Sequence, residues 1–153
     1  MRRRVRRPDE VEAALWFHDV IYDPHAGDNE ERSADLADRL LGAAGVTTEH
    51  LAEIRRLVLA TGHRVALDPQ DDASVLTDID LTILGAERGR FDEYEADIRR
   101  EYAFVPEDEF RRRRREILES FLARPTIYAT PWFRDRFEVP ARENLQRSIA
   151  ALR

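Results

Sequence analysis

The sequence predicts an all-α protein, a compact bundle of about six to eight helices forming one domain over residues 1–153. Three observations carry that expectation. Apolar residues recur at helical spacing in nearly every segment. No stretch shows the sustained period-two alternation, bounded by Gly or Asn turns, that a sheet requires. Prolines, glycines and capping residues punctuate the chain at helix-length intervals. Hydrophobic residues make up 42% of the 153, which suffices for one real core.

Each element has its own warrant. Pro8-Asp9 suits a first helical turn, and the helix it opens stops before Pro24, with Val11, Leu15, His18 and Tyr22 on one face. Asp28 with Glu31 three residues on opens a second helix through Ala34, Ala37, Leu40 and Leu41 to Gly45. A third, capped by Thr48, carries Leu51, Ile54, Leu57 and Val58 and ends at Gly62-His63. A loop from Arg64 to Gln70 contains Pro69, and a fourth helix runs from about Asp72 to Leu84, stopped by Gly85. Two long polar helices follow, about Phe91 to Phe104 and Glu107 to Leu122, with Pro106 between them. A turn from Pro125 to Pro131 leads to Trp132, Phe133 and Phe137, and a terminal helix follows Pro140.

Composition narrows the chemistry. The chain has no cysteine and no lysine, which excludes disulfides, thiolate nucleophiles, P-loop lysines and Schiff-base lysines. The formal net charge of −6 argues against general affinity for nucleic acid or anionic membrane. No apolar run is long enough to span a bilayer, and the basic opening Met1 to Arg7 is followed by Pro8-Asp9-Glu10 rather than the apolar core of a signal peptide. A soluble, cytoplasmic protein acting on a small ligand is expected.

The chemistry-bearing residues fall inside apolar helix patterns. His18 stands where leucine would be expected, with Asp19 beside it, and burying that pair costs several kcal/mol unless a partner compensates. A divalent cation does so best, although a buried His-Asp pair is also a common structural device. Glu30 and Glu31 open the second helix, His63 ends the third, and Asp78 and Asp80 interrupt the apolar face of the fourth. One of the two aspartates is expected to be a ligand, Asp80 the more telling, since Asp78 has the alternative of bonding a helix terminus or an arginine. Inward-facing His and carboxylates are how helical bundles hold metals, and this donor set suits Mn²⁺, Fe²⁺, Mg²⁺ or Zn²⁺. His25 and His50 read as surface residues. The run Arg111 to Arg115 is flanked by acids at i,i+4 spacing and reads as a salt-bridged, solvated face.

Four segments, Trp16-Phe17-His18-Asp19-Val20-Ile21-Tyr22-Asp23, Asp28-Asn29-Glu30-Glu31-Arg32-Ser33-Ala34, Ala60-Thr61-Gly62-His63 and Asp78-Ile79-Asp80-Leu81-Thr82-Ile83-Leu84-Gly85, together resemble the HD-domain superfamily of metal-dependent phosphohydrolases. Later fragments fit as well: Phe91-Asp92-x-Tyr94, Ile98-Arg99-x-Glu101-Tyr102, Val105-Pro106, Phe121-Leu122-x-Arg124 and Ala141-Arg142-x-Asn144-Leu145. The resemblance implies an HD-type helical bundle, with His18, Asp19 and Asp80 as metal ligands and Asp19 part of the catalytic centre. It implies positions for Glu30, Glu31 and His63 at a second metal or an oriented water, with Glu31 moving protons. Arg99 and Arg114 are implied to grip substrate phosphate. The reaction implied is hydrolysis of a phosphate ester or anhydride in a small metabolite or nucleotide by a metal-activated water. In the superfamily a further histidine, N-terminal to the doublet, supplies the first ligand; no histidine precedes His18 here, and the expectation is a start codon assigned too far downstream. The alternative is a degenerate HD domain that binds a nucleotide or a protein without turnover.

Overall fold

Every described secondary-structure element is helical: seven α-helices and one 3-10 helix, with no strand among the described residues. The computed structural model describes residues 5–63 and 67–152. Residues 1–4 of the basic opening, 64–66 of the expected loop and residue 153 lie outside them. The helices group into two units, Met1–Asp80 and Leu81–Arg153.

The first unit contains α1 (Pro8–Phe17), α2 (Asn29–Ala43), α3 (Thr48–Ala60) and α4 (Asp72–Asp80). α3 is its spine, packed against the other three. Small residues let the axes approach: Ala14, Ala34, Ala37 and Ala73 are completely buried against Leu57, Val58 and Leu76. Asp28 stands at the α2 N-cap without a side-chain capping bond, and the α3 N-cap is Thr47 instead of Thr48. α2 closes in a Schellman motif, with Val46 N–H donating to Leu41 O (3.0 Å), Gly45 N–H to Gly42 O (3.0 Å), and Gly45 at φ 89°. Asp72, buried in the first turn of α4, accepts the backbone N–H groups of Arg6 (3.0 Å) and Arg7 (2.8 Å), which pins the entry to α1.

Several expected boundaries move, α5 among them at Arg88–Glu101, and two of the changes matter for the site. α1 stops at Phe17 instead of running toward Pro24. The β-branched and aromatic run Val20-Ile21-Tyr22 has weak helix propensity, and side chains from α2 satisfy its backbone instead. Ser33 Oγ accepts from Ile21 N–H (3.1 Å) and donates to Ile21 O (3.2 Å), while Asn29 accepts from Asp23 N–H (3.0 Å) and donates to Asp23 O (3.0 Å). The single face expected to join Val11 to Tyr22 is thereby cut, and Tyr22 is exposed. α4 likewise ends at Asp80, and Leu81–Gly85 tightens into a 3-10 helix.

The second unit comprises that 3-10 helix with α5 (Arg88–Glu101), α6 (Glu107–Leu122) and α7 (Pro131–Ala151). The expected terminal helix after Pro140 is the second half of α7, which begins at Pro131 and carries Pro140 inside. Proline at the first helical position is pre-set for the helix, and the interior proline leaves the carbonyl four residues before it without a helical partner. Asn144 donates to Leu84 O (2.9 Å) and Ala86 O (3.0 Å), and Tyr128 Oη–H to Leu81 O (2.9 Å), so α7 and the Tyr128 loop hold the 3-10 segment. Gly85 is obligatory there, since a β-carbon would lie 2.8 Å from the Phe137 backbone. Arg142 reaches Leu122 O (3.2 Å), Arg124 O (2.9 Å) and Pro125 O (3.2 Å), closing the end of α6.

The arginine run matches its expectation. Arg111, Arg112, Arg113 and Arg115 pair at i,i+4 with Glu107, Glu116, Glu109 and Glu119. Arg114 differs: it is buried, ion-paired with Glu95 and stacked over Tyr94 (5.5 Å), and Glu95 also accepts from Ser148 Oγ–H (2.8 Å). Among the described residues no helix is long and apolar enough to cross a membrane.

Candidate metal centre

Three helices of the first unit end at one place. His18 is the C-cap of α1, Asp80 is the last residue of α4, and His63 follows the α3 C-cap by two residues. Helix C-termini carry partial negative charge, so a carboxylate at the end of α4 is poorly placed unless a positive group faces it.

Histidines supply that group. His18 Nε2 lies 3.4 Å from Asp80 Oδ1 and 3.4 Å from Asp19 Oδ2, and His63 Nε2 lies 2.9 Å from Asp80 Oδ2. His18 Nδ1 contacts Leu15 O at 2.8 Å, and since a carbonyl only accepts, Nδ1 carries a proton. That bond turns Nε2, the remaining ring nitrogen, toward the two carboxylates.

Electrostatics follow from this arrangement. The hydrogen-bonding interaction with Asp80 raises the His18 pKa to about 9, outweighing the desolvation that lowers it. Burial pushes the Asp80 carboxyl up, but His18 and His63 together bring it down to about 2. Asp19 sits on the rim with its side chain 65% exposed, and its carboxyl is raised by partial desolvation, with the Asp80 and Glu30 charges adding to the rise against the pull of His18 and His63.

The ligand atoms of His18, Asp19 and Asp80 all lie within 4.8 Å of one another, forming a group able to hold a cation. Donors about 2.1 Å from a divalent ion sit roughly 3 to 3.5 Å apart at adjacent positions, so the two 3.4 Å separations fit such an ion with little movement. Two carboxylates and one neutral imidazole are also a chemically suitable donor set.

Of the other expected residues, His63 reaches the cluster through Asp80, and Glu30, on the first turn of α2, acts on Asp19. Glu31 follows on the same turn, partly buried. Asp78 is 1% exposed and outside the cation group, which makes Asp80 the aspartate that faces the histidines. Arg99 and Arg114 belong to the second unit, and partners within it occupy them. Arg99 donates to Glu107 (3.0 Å), Tyr102 O (2.7 Å) and Val105 O (3.3 Å), which ties the α5–α6 turn, and Arg114 is the buried partner of Glu95. His50, half exposed, meets the buried Glu10 at 2.7 Å.

No family model, curated protein or solved structure matches the chain.

Three supporting residues escaped the sequence reading. Leu15 contributes only its carbonyl, which no side-chain pattern reveals. Asn29 and Ser33 hold the loop after Asp19, and their i,i+4 spacing around Glu30 was the available signal.

Proposed function

We propose that the chain is a metal-dependent phosphohydrolase of the HD type, acting on a small phosphorylated metabolite or nucleotide. The observation that carries this reading is the convergence of His18, Asp19 and Asp80 where three helix C-termini meet. His18 and Asp80 hold a divalent ion, Mn²⁺, Fe²⁺, Mg²⁺ or Zn²⁺, from the protein side, and Asp19 closes the site from the rim. When bound, such an ion acidifies a water molecule and offsets phosphoryl charge. Asp19, exposed beside the ion, is placed to orient that water. Glu30 raises the negative charge around Asp19, and Glu31 is assigned the proton-carrying role on the strength of the family resemblance.

The test is turnover of phosphate monoesters and nucleotides by protein reconstituted with each ion. Metal-dependent phosphate release, reduced at least about a hundredfold by Asp19→Ala with an unchanged helical spectrum, is expected. Metal binding without turnover on any such substrate would select the second reading, a non-catalytic HD domain.

A further inference from the structure

The residue ending the α3 turn has an unusual backbone. His63 is the one non-glycine residue at positive φ (52°) among the described residues. The left-handed region is sterically costly for a residue with a β-carbon, although His is enriched there relative to most. Such conformations persist where the surrounding structure over-determines them and cluster at working sites. In this conformation a largely buried ring brings His63 Nε2 to 2.9 Å from Asp80 Oδ2.

Asp80 presents its two oxygens to different partners. Oδ1 faces His18 Nε2, on the side where the Asp19 carboxylate also lies, whereas Oδ2 faces His63. The group able to share a cation consists of His18, Asp19 and Asp80, and His63 is outside it. We propose that His63 is a positioning residue: it donates Nε2–H to Asp80 Oδ2 and so keeps Oδ1 turned toward the cation, without coordinating the ion itself. An outer hydrogen bond of this kind fixes a carboxylate in single-oxygen ligation, and its loss commonly lowers metal affinity about 10- to 100-fold. It is from this left-handed backbone that the ring meets Asp80 Oδ2. This role rests on the metal-binding reading above.

The experiment has two arms. Nitrogen-15 NMR of the metal-free protein reads the His63 ring directly: a protonated Nε2, whose resonance shifts in Asp80→Asn, is expected, and an unprotonated Nε2 would overturn the proposal. Calorimetric titration with Mn²⁺ then compares wild type with His63→Gly and His63→Gln. Glycine keeps the left-handed backbone and removes the ring, and glutamine restores an amide donor near the Nε2 position. The expected result is one ion per chain throughout, affinity about 10- to 100-fold weaker in His63→Gly, and most of that loss recovered in His63→Gln. Melting of metal-free His63→Gly should stay within a few degrees of wild type. Equal affinity in wild type and His63→Gly, or a second ion lost in that variant, would overturn the positioning role while leaving metal binding intact. A wild-type protein that takes up no Mn²⁺ or other divalent ion removes the functional reading and this role together.

Discussion

Asp80 and His18 share one interaction that makes the metal-free protein sensitive to pH in a defined window. His18 titrates near 9 in the folded protein against 6.5 unperturbed, so its contribution is complete below about pH 6.5 and is lost as pH rises through 9. Asp80 titrates near 2 against 3.8, so its contribution is present above about pH 4 and lost as pH falls through 2. The two shifts share the His18–Asp80 contact, which counts once, and His63 adds to the lowering of Asp80. Urea unfolding of metal-free protein should therefore show a plateau between about pH 4 and 6.5, followed by a loss on the order of 2 kcal/mol by pH 9. In His18→Gln the alkaline decline should disappear. A decline of equal size in that variant would assign it elsewhere. At this scale the identities of His18, Asp19 and Asp80 were legible, because a polar residue in an apolar helical stripe is conspicuous. Their directions were not: the choice between Asp78 and Asp80 depends on where α4 stops.

Element ends, more than element interiors, build the site. α1, α3 and α4 bring their C-termini together, and the same ends were where the sequence reading erred, extending α1 and α4 past His18 and Asp80. Periodicity sees apolar residues on both sides of a boundary and has no term for a backbone group satisfied by a distant side chain. Ser33 is the instance that decides α1, since its hydroxyl bonds both polar groups of Ile21. Ser33→Ala leaves those groups without their partner and should cost about 1–3 kcal/mol in thermal unfolding. A loss under a few tenths of a kcal/mol would mean that the loop is held by other contacts. By contrast α6 was read to the residue, because Pro106 opens it and Ala123-Arg124-Pro125 closes it. The second half of α7 was mistaken for a separate helix because Pro140 looks like a start, although Pro131 is the true one.

At the level of the whole chain, the all-α architecture was the most legible property. Helical periodicity runs through both units, and each buries its own apolar cluster, one around Leu57, Val58 and Leu76, the other around Phe91, Leu118, Tyr128 and Leu145. Burial of polar groups was the least legible. Arg114 has Phe110 and Leu118 at i−4 and i+4, where each of the four surface arginines beside it has a glutamate at one of those positions, and it is the one whose charge is desolvated and paired with Glu95. The proposed function requires a divalent cation on His18, Asp19 and Asp80 of the first unit. Calorimetric titration of metal-free protein with Mn²⁺ and Zn²⁺ at pH 7, in two buffers of different ionisation enthalpy, tests it most directly. One ion per chain, bound with release of about one proton from His18 and weakened at least about a hundredfold in Asp80→Asn, is the predicted result. Absence of binding, or binding that Asp80→Asn leaves unchanged, would contradict it.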